Sequence, residues 1–435
     1  MNDSSKSEKI ITDLLRPIRM NKSFIIWMGF LGVSLVICLY AYALQLDEGL
    51  SVSGLRDDVS WGMYIANFVF FVATSLIGML ISAVLGLSGA KWASPLARIA
   101  EIIALAFAAV AGLVIVSDMG RPERLLNVFI YGRLQSPISW DVTVVSIYVV
   151  ISALLLYLPL IPDMKICYDR FDKAPKFLRN IYKMLSLNWN GSEEQTKIIK
   201  RSTWILSILI IPVALAIHTV TSWLFASTSR VGWDSSIFGP YFVTGAFVSG
   251  TAAVIIAMYF YRKNFKLQDY ITEMHFDKMG KLLVLVSLVY LYFNLNEFMV
   301  PGYKMKKFDA VHIQDLFSGS HAFLFWSVQL LGLVIPIILL LFRKMRKPLP
   351  MLIIAFFVII GAWFKRYIIV VPTMEHPFLP IQNVPLNFKI YTPTLIETLI
   401  TVAPIILVLI IITLLSKLVP VIPVHETLEQ IEETK

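Results

Sequence analysis

Ten apolar stretches, each about 20 residues long, are the strongest constraint this chain places on its own fold. They run near 24–46, 61–86, 98–117, 139–162, 203–227, 238–261, 280–300, 320–343, 349–371 and 394–423. A helix rises about 1.5 Å per residue, so roughly 20 apolar residues match the ~30 Å hydrocarbon layer. Only closed barrels and helices satisfy their backbone polar groups in lipid, and continuous apolar runs of this length specify helices. The predicted fold class is therefore an all-α polytopic membrane protein of about ten transmembrane helices. Hydrophobic residues make up 57% of the 435 and charged residues only 15%, which excludes an ordinary soluble enzyme of this length.

The charges between the stretches orient them. The N-terminal segment, alternate connections and the tail hold 27 Lys and Arg, and the opposite connections hold nine. Lys365 and Arg366, inside the ninth stretch, complete the 38. The positive-inside rule then places both termini in the cytoplasm and the site face on the exterior of a cytoplasmic (inner) membrane. The basic excess is accounted for by this bias, so nucleic acid is excluded as a partner and the lipid bilayer is the expected surroundings. The opening MNDSSKSEKI lacks the ordered regions of a cleaved signal, so insertion is expected to rest on the first span.

The chain divides by these boundaries into a cytoplasmic segment 1–23, a first span 24–46, spans two to five over 61–227, spans six to nine over 238–371, a last span 394–423 and an acidic cytoplasmic tail 424–435, which from His425 onward reads as a solvated end. The connection 163–202 is the longest and most basic, and is read as a positive-inside anchor. The exterior segments 118–138, 301–319 and 372–393 carry Pro, Gly and aromatics, as ordered partner-docking loops do. WGMY at 61–64 and FGPY at 238–241 echo one another, each opening a span and each followed by a Phe six residues after the Tyr.

Ionisable residues inside apolar spans cost roughly 2.5–3.5 kcal/mol each at the bilayer centre. Asp118, Asp141, His218, Glu297, Arg366 and Glu397 fall on six different spans, all toward the exterior. Their shared depth suggests one polar region suited to proton-coupled redox or transport chemistry. Tyr290, Asn294 and Glu297 follow i, i+4, i+7 and share a helix face that Pro301 closes. Thr394, Glu397, Thr398 and Thr401 repeat the theme on the last span, as do Ser60, Tyr64 and Asn67 on the second. Each stripe alone also fits simple interhelical hydrogen bonding. Asp118 and Asp141 also fit helix-end roles, and His218 also fits a satisfied core histidine. Arg366 is expected to pair with Glu297 or Glu397. Glu101, near the cytoplasmic end of its span, reads as an inner proton station or a snorkelling side chain. Cys38 and Cys167 form no CxxC, so this chain is expected to carry no haem, no iron–sulfur cluster and no other metal.

The stretches SWGMYIANFVFF (60–71), DMGRPERL (118–125), SPISWDVTVVSIY (136–148), SIFGPYFVTGAF (236–247), YFNLNEFMVPGYKMK (292–306) and KRYIIVVPTMEHPFLPIQNVP (365–385) resemble the NrfD/polysulfide-reductase membrane-subunit family. Within it, the ten-span form resembles the branch that includes the hydrogenase-2 and alternative complex III membrane subunits. The resemblance implies two four-helix bundles, spans two to five and six to nine, flanked by two peripheral helices. It implies a menaquinone or ubiquinone site in the first bundle near the exterior face. The expected partners are an exterior ferredoxin-like iron–sulfur subunit and a further catalytic or cytochrome subunit. Asp118 and Asp141, with His218, are then the expected proton-handling groups. Trp61, Tyr64, Asn67, Arg121 and Trp140 are expected to bind the quinone. Glu101, Asn294, Glu297, Arg366 and Glu397 are the expected proton route. The alternative complex III branch commonly carries histidine where Asp118 stands. The rival expectation is a secondary transporter or proton-translocating subunit without quinone chemistry. Transporters favour paired helix breaks at the midplane, and Pro212, Pro336 and Pro404 do not occupy corresponding positions.

Overall fold

The computed structural model describes residues 3–171, 175–376, 385 and 388–433. All the described regular structure is helical, and ten segments are long and apolar enough to cross a membrane, at the positions expected from the sequence. The chain is a multi-pass integral membrane protein. In order, the helices are α1 (Asp3–Leu14), α2 (Lys22–Glu48), α3 (Met63–Ser75), α4 (Ser94–Asp118), α5 (Asn127–Ile130), α6 (Pro137–Tyr157), α7 (Leu160–Arg170), α8 (Lys176–Leu185) and α9 (Glu193–Ala226). They continue with α10 (Phe238–Asn264), α11 (Glu273–Lys304), α12 (Lys307–Ser318), α13 (Ala322–Gln329), α14 (Ile335–Leu341), α15 (Pro348–Glu375), α16 (Leu395–Leu418) and α17 (Val424–Glu433). The second span continues past α3 as a π-helical stretch, Met79–Leu85, and a second such stretch, Leu330–Val334, joins α13 to α14.

Burial sorts the helices. On α3 every residue from Tyr64 to Ser75 is buried, whereas α2 exposes Ile25, Ile26, Phe30, Val33, Ile37 and Tyr40. The first is thus a central helix and the second faces lipid. α3 lies against α4, α10 and α15; α6 pairs with α9 and α4; α10 pairs with α11 and α15; α16 packs on α2 and α4. Lipid is as apolar as leucine, so close packing rather than hydrophobicity drives helix association. α10 accordingly presents Gly245, Ala246, Ser249, Gly250, Ala252 and Ala253 to its neighbours, all buried or partly so. A Cβ on Gly250 would meet Ile77 at 2.7 Å and the Thr74 carbonyl at 3.0 Å.

A close helix-to-helix backbone approach joins the π-helical stretch of span eight to α15. A Cβ on Gly361 would lie 2.5 Å from the Gly332 Cα, and one on Gly332 would lie 2.8 Å from the Gly361 Cα. Neither partner is a flexible side chain, so Gly361→Ala must force the helices apart. A loss of about 1–3 kcal/mol is expected, the usual cost of overpacking. Denaturant titration of the purified protein checks it, and an unchanged midpoint would refute the contact.

Two expectations are corrected, and the longest connection takes on a structure. Pro301 does not close its helix: α11 runs on to Lys304 and ends where Met305 adopts a left-handed φ of 45°. Proline removes one hydrogen bond at its own nitrogen, and the last turn survives that loss. The 163–202 connection is largely helical, through α7, α8 and the first turns of α9. The acidic tail is a docked helix rather than a solvated end. The amides of Val424 and His425 donate to Asp163 at 3.2 and 2.9 Å, and α17 touches α1 and α7. Both chain ends therefore share one face, called here the terminal face. Asp163 is itself paired with Arg98, with both side chains almost wholly enclosed. The segment 372–393 is only partly covered, because 377–384 and 386–387 lie outside the described residues.

Candidate functional site

The polar residues expected to share one layer lie at the far face, opposite the chain ends, but they resolve into separate clusters. The first surrounds Asp118, the last residue of α4. Its Oδ1 is buried and has no hydrogen-bond partner. Close by, Tyr64 donates to Gln45 Oε1 (2.5 Å), and Gln45 Nε2 donates to the Ser117 carbonyl (2.7 Å). Asp118 lies within electrostatic reach of both Tyr64 and Glu397.

Glu397 is fully buried on the first turn of α16, whose N-cap Thr394 accepts from the Glu397 amide at 3.1 Å. Its carboxylate accepts the Gly54 amide at 2.9 Å and a short hydrogen bond from the Tyr391 hydroxyl. Tyr391 in turn accepts the Met63 amide at 2.9 Å, at the start of α3. Gly62 is what admits the Tyr391 ring, because a Cβ there would stand 2.4 Å from the hydroxyl oxygen. Asn67, one turn below Tyr64, joins α15 to α16. It accepts from Trp363 Nε1 and donates to the Thr401 carbonyl, both at 3.0 Å.

The second cluster lies between α6 and α9. Asp141 is buried, and Thr221 donates to its Oδ1 at 2.5 Å. His218, one turn deeper on α9, is 2% exposed, and its Nε2 has no partner. A buried polar atom without a protein partner calls for an explanation, an ordered water or a bound group among them. Two turns along the same helix from His218, Phe225 enters an aromatic group. Trp61 stacks on Trp233 (centroids 5.5 Å apart) and both meet the edge of Phe225. Flat apolar rings beside unpartnered polar atoms are what a planar, two-oxygen ring compound requires. Asp118 Oδ1 and His218 Nε2 belong to separate clusters, and each has an open hydrogen-bonding position. Trp140 is 38% exposed, meets the edge of Trp223 and donates through its indole N–H to the Leu134 carbonyl. Arg121 is exposed on the loop after α4. Neither is brought into contact with the buried groups.

The third cluster belongs to α10, α11 and α15. Lys365, not Arg366, takes the ion pair with Glu297 (2.7 Å), and Tyr241 donates to the same carboxylate oxygen at 2.9 Å. Adjacent residues on a helix point about 100° apart, so the two cations reach different turns of α11. Arg366 donates instead to the Tyr290 hydroxyl at 3.4 Å, and its Nε and Nη2 are buried without partners. Space for it comes from Gly245, where a Cβ would approach Nη2 to 2.8 Å. A cavity of about 20 Å³, enough for one water, is lined by Arg366, Lys365, Tyr290 and Asn294. Asn294 exchanges hydrogen bonds with Gln329 at 2.6 and 3.3 Å.

Glu101 is apart from all three, as expected. It lines a cavity of about 270 Å³ at the terminal face with Arg98, Glu426 and the π-helical stretch of span two. Glu101 is buried rather than snorkelling. Among the described residues, no group of three or more His, Cys, Asp or Glu is placed to hold a metal ion.

The residues missed from sequence are Gln45, Trp233, Tyr391 and Lys365 in its pairing role. Gln45 had a signal, being a lone amide in the first apolar run. Tyr391 had none: it lies in an irregular segment and reaches α3 only through the folding of that segment over the bundle.

The polysulphide reductase NrfD family matches residues 51–376. A Halobacterium salinarum protein, provisionally named as the membrane component C of a dimethyl sulfoxide reductase, is 29% identical over 74% of this chain and 70% of its own length. The C component of the Mesobacillus selenatarsenatis selenate reductase is 26% identical over 82% and 83%. The Hdr-like menaquinol oxidoreductase integral membrane subunit of Archaeoglobus fulgidus is 25% identical over 86% and 88%.

Proposed function

We propose that this chain, which belongs to the polysulphide reductase NrfD family, is the quinone-interacting membrane subunit of a multi-subunit oxidoreductase. It would exchange electrons between membrane quinol and an iron–sulfur partner docked on the far face, with a further catalytic or cytochrome subunit beyond it. The names of the relatives support this reading: two belong to reductases and one to a menaquinol oxidoreductase. The chain is not an enzyme alone, because the electron acceptor must come from a partner. The charge bias supports assigning the far face to the exterior of a cytoplasmic membrane. The helix pairings favour two bundles, with the quinone site in the first.

The observation that carries the proposal is the pair of buried, unpartnered polar atoms, Asp118 Oδ1 and His218 Nε2, the latter on the helix that also carries Phe225, which Trp61 and Trp233 meet from the adjoining loops. Oxidation of a quinol releases two electrons and two protons. Asp118 is free to accept a proton, and its neighbours Tyr64 and Gln45 hold the surrounding network in register. His218 is placed to hydrogen-bond a ring oxygen. Asp141, held by Thr221, is the second carboxylate. The aromatic group excludes water and orients the ring.

In the second bundle, the Glu297–Lys365 pair and Arg366, whose Nε and Nη2 lack partners beside a water-sized cavity, favour a proton route through Asn294, Glu297 and Arg366, in line with proton translocation. Without quinone binding, the same cluster would favour a transporter. The deciding experiment is quinone content and quinol-binding fluorescence quenching on the purified complex, wild type beside His218→Ala and Asp141→Asn. Bound quinone and binding weakened about tenfold in His218→Ala, the loss of one buried hydrogen bond, is the expected result. Absent quinone with unchanged variants would discard the redox reading.

A further inference from the structure

The cavity at the terminal face takes no part in the quinone reading, and its lining is unlike that of a packing void. It measures about 270 Å³, much more than one water needs. It lies between α4, α6, α9 and the π-helical stretch of span two, with Pro423 and Glu426 of the tail completing its wall. Two carboxylates reach it. Glu101, two turns into α4, is buried, and Glu426 enters from α17, where Ser94 donates to it at 3.3 Å. The charge of Glu426 reaches Glu101. Among the described residues neither carboxylate is in an ion pair, because the neighbouring Arg98 directs Nη1 to Asp163 and Nη2 to the Pro159 carbonyl.

The same cavity is faced by donors with nothing to donate to. Arg98 is 1% exposed, and its Nε is buried without a partner, as is the Thr203 hydroxyl. Lys91 lines the cavity from the exposed loop beyond span two. A bare cation would suit the two carboxylates but leave the Arg98 Nε–H unsatisfied. A simple anion would suit Arg98 and Lys91 but meet the carboxylates. Water would satisfy the donors yet leave both enclosed carboxylates without a counter-charge. A ligand that carries an ammonium and an anionic oxygen on one short frame satisfies every group. The opening selects further. A Cβ on Gly86 or Gly89 would meet nothing within 4 Å, so the cavity opens past these residues. Val84 and Leu87 beside them, and Trp204 next to Thr203, are exposed apolar side chains. Apolar surface around a polar opening at the end of two spans marks contact with lipid.

We infer that this cavity binds the head group of an amine-bearing phospholipid, with its ammonium held by Glu101 and Glu426 and its phosphate by Lys91 and the Arg98 Nε–H. Phosphoethanolamine is the simplest head group with that pair of charges. Choline carries the same charges, but its methylated nitrogen has no N–H to give the carboxylates, and a glycerol head group has no cation. The bound lipid fastens α17 to the helices above it, since Glu426 belongs to the tail and Glu101 to a span. No electron or proton transfer enters this inference, so it stands apart from the quinone reading.

The test uses the intact complex, stripped of lipid in detergent and then given phosphatidylethanolamine, phosphatidylcholine or phosphatidylglycerol with the same acyl chains. Native mass spectrometry reads the retained lipid, and thermal unfolding is followed on the same samples. Phosphatidylethanolamine is expected to be retained and to raise the midpoint by a few degrees through mass action. The other two lipids should bind about tenfold more weakly, and Glu101→Gln and Glu426→Gln should each weaken phosphatidylethanolamine about tenfold, the loss of one charge-assisted hydrogen bond. Glu426→Gln lies on the tail, so it reports even where Glu101→Gln fails to fold. Equal retention of the three lipids, or a phosphatidylethanolamine response that both variants keep in full, overturns the site and leaves the cavity to water. Water-soluble phosphoethanolamine raising the midpoint as far as the lipid does overturns the lipid assignment and makes a soluble aminophosphate the ligand.

Discussion

Replacing Asp118 by asparagine is expected to lower quinol oxidation by about 10²–10⁴-fold while leaving quinol binding nearly intact. Positioned proton acceptors contribute that range, and on the proposed reading Asp118, whose Oδ1 is buried and unpartnered, is the first of them. Asparagine keeps the size and a hydrogen-bonding oxygen but cannot take up a proton. Its neighbours Gln45 and Tyr64 bond each other and the Ser117 carbonyl rather than Asp118, so the local network survives the change. The check is steady-state oxidation of a quinol analogue by the purified complex, beside a binding titration on the same sample. Turnover within twofold of wild type would remove Asp118 from the chemistry. A joint loss of binding and turnover would make it a packing residue.

The largest structural loss is expected at the terminal face. Arg98 and Asp163 are 1% and 0% exposed, and Arg98 also donates to the Pro159 carbonyl at 3.0 Å. Removing one partner of a buried pair leaves an uncompensated charge, at a cost of about 3–5 kcal/mol. Arg98→Met is therefore expected to destabilise the protein by that amount, and to free α17, because Asp163 also receives the Val424 and His425 amides. Adding Asp163→Asn to Arg98→Met should recover part of the loss, since the neutral amide can still accept from the tail. Denaturant unfolding of the three variants, with proteolysis after residue 423 as the local probe, gives the order. A double variant no more stable than Arg98→Met would contradict the buried-charge account.

Much of this architecture was legible in the chain. Length and apolarity specify a crossing helix almost alone, because lipid leaves the backbone no other means of satisfying itself. All ten spans are found where the apolar runs stand. Family membership was equally legible, carried by stretches such as DMGRPERL and YFNLNEFMVPGYKMK, which lie within the matched region 51–376. The common depth of Asp118, Asp141, His218, Glu297, Arg366 and Glu397 also follows from sequence, since rise per residue converts position into height.

Sequence did not determine which of these residues meet. Depth is a one-dimensional quantity, whereas partnership depends on how each helix is rotated and which neighbour it faces. Glu297 therefore pairs with Lys365 although Arg366 stands next to it. Glu397 is turned toward Tyr391 and Gly54 rather than toward a cation. Gln45, in a span that looks like simple lipid-facing helix, reaches Ser117 and Tyr64. Polar segments outside the membrane were the least legible, because water satisfies an extended loop and a docked helix equally well. Only contacts with the rest of the protein, such as Asp163 with the head of α17 and Asp315 with His321, decide between them. The apolar pattern thus determined the spans and their depths, and tertiary packing decided their rotations, the pairing of their buried charges and the course of any proton path.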